Sequence, residues 1–140
     1  MGTLKELLDC LLPYRAPTPR TVAECEAVTS CCEGLRDQLQ RVTDEAVELA
    51  GLGRHGELCG QWQRAVEAAG ARLAELLPEQ HTRASEAVVF TLSDLRMAGM
   101  AAIIAASNHN SFEAADQRRD ARALLRTLDR QARRVLALGI

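Results

Sequence analysis

An apolar residue recurs at every third or fourth position between residues 25 and 49, and this spacing constrains the fold more than any other feature of the chain. Successive members are 3, 4, 3, 4, 3, 4 and 3 residues apart: Cys25, Val28, Cys32, Leu35, Leu39, Val42, Ala46 and Leu49. A 3.5-residue repeat places all of these side chains on one side of an α-helix. The segment is therefore predicted to be a long helix that packs lengthwise against other helices.

Caps and helix-breaking residues divide the rest of the chain into further helices. Thr21 and Glu24 form a capping box at the start of the long helix, and Gly51 and Gly53 end it. Asn110 with Glu113 forms a similar box for the last helix. Further helices are predicted at residues 3–12, 55–77 and 82–107, and from the box at 110 to near the C-terminus. Residues 13–20 contain three of the four prolines and are predicted to be an extended linker.

Short connections between long helices favour antiparallel neighbours. We therefore predict an all-α chain with a single helical domain over residues 1–140, in which residues 21–140 form an up-and-down four-helix bundle. The short helix at 3–12 precedes this bundle on the proline-rich linker at 13–20. In the alternative arrangement the long helix leaves the bundle as a coiled-coil arm, because a 3.5-residue period also suits pairing between chains.

Three of the five cysteines lie in the run CEAVTSCC at residues 25–32. Cys25 and Cys32 belong to the apolar series and are predicted to be small core residues. The sequence leaves open whether Cys31, which lies beside the series, is reactive. The chain contains no CxxC, HxxxH or HExxH motif, so neither a metal site nor a cofactor is predicted. A small ligand or metal bound by scattered cysteine, histidine and methionine side chains is the alternative.

Residues 82–107 are apolar, with small side chains on every side of the predicted helix, as in the segment MAGMAAIIAAS. Such a helix is expected to be covered all round, because small residues allow close approach of neighbouring backbones. Either the helix at 3–12 or a second subunit provides the additional cover, and a homodimer is expected in the second case. Ser93, Asp94 and Arg96 interrupt the segment, so a membrane span is not predicted.

Seven arginines lie on one side of the last helix, over an arc of about 160°. They are Arg118, Arg119, Arg122, Arg126, Arg130, Arg133 and Arg134. With four carboxylates the segment carries +3, in a chain whose net charge is −2. A purely solvated face is one interpretation. The functional interpretation is a partner-binding surface for an acidic protein or a second subunit, since guanidinium groups pair well with carboxylates. Nucleic-acid binding is the weakest option, because the rest of the chain is acidic.

No motif indicates an enzyme: the chain lacks a glycine-rich phosphate loop, a GxSxG sequence and a Glu-x-x-His pair. No catalytic residue is predicted, and the polar run at 107–111 has the offsets of a turn and a helix cap. The amino-terminal residues lack the apolar stretch of a secretory signal, so the expected location is the cytoplasm. The sequence thus predicts a non-enzymatic protein-protein interaction module that acts as an adaptor, chaperone or regulator.

Overall fold

The computed structural model describes residues 19–77 and 83–138, and every regular element in these two ranges is an α-helix. The helices are α1 (Pro19–Glu48), α2 (His55–Leu76), α3 (Arg83–Ser107) and α4 (Ser111–Leu138). Consecutive helices pack against each other, and α1 also packs against α3 and α4. This part of the chain is a helical bundle, as predicted. The helix predicted at 3–12 lies outside the described residues.

The start of α1 differs from the sequence prediction. The helix begins at Pro19, so Pro19 and Arg20 belong to α1 rather than to the linker predicted at 13–20. Thr21 consequently lies within the first turn of α1 and not at the residue before the helix, where the predicted capping box would place it. Proline is favoured in this position because the first N–H groups of a helix have no partner within it.

Glycines in the connection between α1 and α2 have the backbone conformation that ends a helix. Gly51 and Gly53 have φ angles of 82° and 69°, a region that side chains other than glycine adopt at a cost. The sequence prediction that these glycines stop the long helix is confirmed. The N–H of Gly51 donates a hydrogen bond to the carbonyl of Ser107 at 3.1 Å, which joins this turn to the end of α3.

The connection between α3 and α4 satisfies the exposed backbone groups of both helix ends. His109 has a φ of 60°, and its N–H donates to the carbonyl of Ala106 at 3.2 Å. The N–H of Asn110 donates to the carbonyl of Ala105 at 2.9 Å, which completes a Schellman motif. The side chain of Asn110 then accepts a hydrogen bond from the N–H of Glu113 at 3.1 Å. The polar run is therefore a helix stop followed by a helix cap, as the sequence predicted.

The apolar series of α1 forms one side of the core. Its buried members are Val28, Cys32, Leu35, Leu39, Val42 and Ala46, while Cys25 and Leu49 at the two ends are half-buried. Buried side chains of the other three helices complete the same cluster. The prediction that Cys32 is a core residue is confirmed.

A tryptophan side chain of α2 packs directly against the backbone of α3. Trp62 of α2 is fully buried, and its indole N–H donates to the backbone carbonyl of Arg96 at 3.1 Å. A Cβ atom on Gly99 would lie only 2.0 Å from Nε1 of this ring. Glycine at position 99 is therefore what allows the tryptophan to lie against the backbone of α3.

The outward side of α3 is not covered by any residue that the structure describes. Phe90, Met97 and Ile104 are 69%, 59% and 42% exposed, and we refer to these three residues as the α3 stripe. The expectation of cover on every side is thus not met within residues 19–77 and 83–138. Cover by residues 3–12 and cover by a second subunit, the two possibilities considered from the sequence, both remain predictions.

Candidate functional site

The seven arginines of α4 form two groups with different surroundings. The outer group is exposed and comprises Arg119, Arg126, Arg130 and Arg134. Within it, Arg119 pairs with Asp116 and Arg130 donates to Thr127, both on the same helix. The inner group contacts α1 and comprises Arg118, Arg122 and Arg133. The single arginine face predicted from the sequence is therefore half an interhelical contact and half a free surface.

Each inner arginine reaches a different polar residue of α1. Arg118 lies 3.9 Å from a carboxylate oxygen of Asp44, and Arg122 donates to the side-chain oxygen of Gln40 at 2.6 Å. Arg133 donates to the hydroxyl of Thr29 and also pairs with Asp129 of its own helix at 3.2 Å. These long side chains bridge the two helices along their solvent edge.

A groove of about 250 Å³ lies between α1 and α4, and we refer to it as the α1–α4 groove. Its apolar lining consists of the buried residues Cys32 and Leu125. Its charged lining consists of three arginines and two carboxylates: Arg36, Arg122, Arg126, Glu33 and Asp129. The groove therefore has an apolar floor and a charged rim with one more positive than negative group.

The rim is more positive than the count of three arginines against two carboxylates indicates. Asp129 already accepts hydrogen bonds from Arg133 at 3.2 Å and from Thr29 at 3.3 Å. Arg36 and Arg126, by contrast, have no ion pair or hydrogen bond with any residue in the described ranges. Two guanidinium groups with free donors thus border one small groove. A planar anion such as a carboxylate matches the fork of donors that each guanidinium presents.

Burial disfavours ionisation of three cysteine thiols, of which Cys32 lies on the floor of the α1–α4 groove. Burial, with a smaller contribution from the charge of Asp129, raises the pKa of Cys32 to about 12. Burial also raises the pKa of Cys31 and of Cys59, although Arg72 partly opposes the shift at Cys31. Reactive cysteines require an accessible thiolate, which these surroundings disfavour. The structure thus argues against the reactive role for Cys31 that the sequence left open.

The remaining cysteines and histidines are dispersed. Cys25, Cys31, Cys32 and Cys59 are free thiols, and residues 19–77 and 83–138 contain no group of three or more His, Cys, Asp or Glu side chains that could hold a metal ion. His55 is the first residue of α2, and His109 lies in the turn before α4. Cys10 and His81 lie outside the described residues.

Helix α3 is long and apolar enough to cross a membrane, judged by length and composition alone. It is the one helix within the described ranges of which this is true. This is weak evidence, because the core helix of a soluble protein meets the same criterion. The absence of a membrane span therefore stays a prediction.

Sequence reasoning missed the contribution of α1 to the charged surface. Glu33 and Arg36 line the α1–α4 groove but belong to a helix that was interpreted only through its apolar residues. A signal was present, because Thr29, Glu33, Arg36 and Gln40 follow one another at intervals of 4, 3 and 4 residues beside the apolar series. Such spacing places polar side chains along one edge of a helix.

The chain matches no protein-family model, and comparisons with curated proteins and with solved structures find no similar protein. Function is therefore inferred from the chemistry of these residues.

Proposed function

We propose that this chain is a non-enzymatic protein-protein interaction module, acting as an adaptor, chaperone or regulator in the cytoplasm, and that it binds an acidic segment of a partner in the α1–α4 groove. One observation carries the proposal: Arg36 and Arg126 border the groove without an ion pair, above the apolar floor formed by Cys32 and Leu125.

The α1–α4 groove has a volume of about 250 Å³, which suits one or two side chains of a peptide. A second cavity of about 420 Å³ adjoins it and shares Glu33, Arg36 and Arg122. The lining favours an aspartate or glutamate beside a small apolar residue, because the carboxylate would meet the guanidinium groups while the apolar group covers Cys32 and Leu125.

Two other functions have weaker support. Nucleic-acid binding would use the same arginines, but the chain outside α4 carries a charge of about −5, which repels a phosphate backbone. Binding of a small ligand or metal through cysteine, histidine and methionine would need these residues to converge. The described thiols instead lie on the inner sides of α1 and α2.

We also propose that the bundle has the up-and-down arrangement predicted from the sequence. Contacts between each pair of consecutive helices support this arrangement, as does the packing of α1 on α4. The hydrogen bond from Gly51 to Ser107 gives further support, because it joins the α1–α2 turn to the α3–α4 turn at one end of the bundle.

The proposal can be tested with an array of acidic peptides in which aspartate or glutamate adjoins apolar residues. Peptides that bind the wild-type chain are then titrated in solution by fluorescence anisotropy against two double variants. Arg36→Gln with Arg126→Gln removes the free guanidinium groups of the groove. Arg130→Gln with Arg134→Gln is the matched control, because it removes the same charge from exposed positions that do not line the groove.

We expect the groove variant to raise the Kd for selected peptides at least tenfold and the control variant to raise it less than threefold. Equal losses in both variants would indicate general electrostatic attraction rather than a site. No loss of peptide affinity in either variant would indicate that the arginines form only a solvated helix face. Tight binding of random duplex DNA by the wild type, with no peptide selected, would favour the nucleic-acid alternative.

A further inference from the structure

The α3 stripe has the spacing of a helix-helix interface. Phe90, Met97 and Ile104 are seven residues apart, so they occupy the same position of successive heptads. Ser93 and Ala101 lie between them on the same side of α3, and their small side chains leave room for a neighbouring backbone. The partner that fits such a surface is another helix that lies nearly parallel to α3.

We propose that this partner is α3 of a second copy of the chain, packed antiparallel about a two-fold axis at Met97. In this arrangement each Met97 contacts its symmetry mate, and each Phe90 lies opposite Ile104 of the other copy. A two-fold axis makes the interface close on itself, so one stripe per chain is enough. The inference is independent of the α1–α4 groove, which belongs to other helices.

The length of the stripe favours a second copy over the helix predicted at residues 3–12. Phe90 and Ile104 are separated by 14 residues, or about 21 Å along the helix axis. A helix of ten residues is only about 15 Å long and would leave one of the three side chains in water. The antiparallel α3 of a second copy covers all three, since the symmetry pairs the two ends of the stripe.

The buried area is enough for a dimer of moderate affinity. From their exposed fractions, the three side chains present on the order of 300 Å² of apolar surface per copy. Two copies together bury on the order of 600 Å² through these three side chains, and the exposed flanking residues of α3 add to this toward the lower limit of about 1,000 Å² for a specific interface. Dissociation is therefore expected in the micromolar range.

Charge favours the antiparallel orientation over the parallel one. Asp94 is exposed and lies at the edge of the stripe, three residues from Met97. In a parallel pair the two Asp94 carboxylates would lie at the same level and repel each other. In the antiparallel pair they are displaced by about 9 Å along the axis, close to the screening length at physiological salt.

The test compares Met97→Glu with Val47→Glu in the full chain. Both residues are 59% exposed, but Val47 belongs to α1 and is not part of the stripe. Sedimentation velocity from 1 to 500 μM should show the wild type and Val47→Glu moving toward twice the chain mass of 15.3 kDa. Met97→Glu should remain monomeric, with a Kd for dimerisation raised at least a hundredfold, because it places two carboxylates together on the axis.

Register is tested separately by oxidation of Met97→Cys. A cysteine on the axis should form an interchain disulfide in high yield, whereas Val47→Cys and the wild type should not. A dimer that persists in Met97→Glu would overturn the proposed interface. A monomeric wild type would overturn the dimer itself, and the variants then identify the occupant. Loss of thermal stability in Met97→Glu alone would assign the stripe to residues 3–12. Loss of binding to phosphatidylcholine–phosphatidylglycerol vesicles in Met97→Glu alone would assign it to a lipid surface.

Discussion

The contact between α2 and α3 and the contact between α1 and α4 are built in opposite ways. Where α2 meets α3, Trp62 lies directly against the backbone at Gly99, and no space remains for a single methyl group. Where α1 meets α4, long polar side chains bridge the helices and leave a groove of about 250 Å³. One contact is filled by a rigid ring, and the other is spanned by flexible chains that water can reach.

This difference separates the part of the bundle that stabilises it from the part that is available for binding. A buried tryptophan contributes several kcal/mol, whereas each exposed pair such as Arg118 with Asp44 contributes roughly 0 to 1 kcal/mol. The α1–α4 contact therefore depends on Leu125, Leu128 and the apolar series of α1, beneath its charged rim. The arginines above this layer contribute little to the stability of the fold, as the proposed binding of an acidic segment requires.

The largest expected effect is that of Gly99→Ala. The added Cβ would lie 2.0 Å from Nε1 and 2.2 Å from Cε2 of Trp62, so the ring or the helix must move. Because the ring is fully buried, we expect a loss of about 3 kcal/mol or more in the free energy of unfolding. Urea denaturation followed by circular dichroism measures this loss.

Gly34→Ala is the matched control for this substitution. Gly34 lies within α1, and a Cβ atom there meets nothing within 4 Å. Its replacement should stabilise the chain by roughly 0.5 to 1 kcal/mol through helix propensity alone. The interpretation of the α2–α3 contact fails if both alanines stabilise the chain. The interpretation gains support if, in a double-mutant cycle, Gly99→Ala lowers the free energy of unfolding much less in a Trp62→Leu background.

Features that depend on a single helix could be predicted from the sequence. The apolar series of α1, the glycines that stop it and the cap at Asn110 depend on neighbours in sequence, and all are confirmed. The small residues of α3 indicated close approach of a neighbour, although not that Trp62 is this neighbour. Such pairings depend on how helices are aligned with one another, which no local pattern specifies.

The candidate site was harder to predict for the same reason. The arginines of α4 were evident from their spacing, but their division into inner and outer groups depends on which side of α4 meets α1. Glu33 and Arg36 belong to the groove only because of this alignment. Pro19 was assigned to the linker because neighbouring prolines favour extended backbone, yet proline is equally suited to the first turn of a helix.

A smaller effect is expected from the pH dependence of Cys32, on the floor of the groove. Its pKa is raised to about 12 in the folded chain, so between pH 9 and pH 12 the folded thiol keeps a proton that the unfolded thiol loses. Loss of this proton stabilises the unfolded state alone, so the free energy of unfolding falls as the pH rises from 9 to 12. The stability advantage of the wild type over Cys32→Ala should shrink by about 1 kcal/mol between pH 7.5 and pH 10.

Val28→Ala controls for this measurement, because it removes a buried residue of the same series that does not ionise. In urea denaturation, Val28→Ala should lower the free energy of unfolding by the same amount at both pH values. If Cys32→Ala also lowers it by the same amount at both, water reaches the thiol from the groove. The floor would then be as open as the rim, and the contrast between the two layers of the α1–α4 contact would be lost.

The smallest expected effect is that of replacing both free arginines of the groove by glutamine. Arg36 and Arg126 are exposed and lack ion pairs within the described residues, so their replacement breaks no interaction. It also relieves repulsion between like charges on one rim. The free energy of unfolding should change by less than about 0.5 kcal/mol, as expected of surface positions, and the control pair Arg130→Gln with Arg134→Gln should behave in the same way. A loss above about 2 kcal/mol in the groove variant alone would show that these guanidinium groups hold α1 and α4 together. The two helix contacts would then differ only in their chemistry, and the groove would be part of the fold rather than a surface free for a partner.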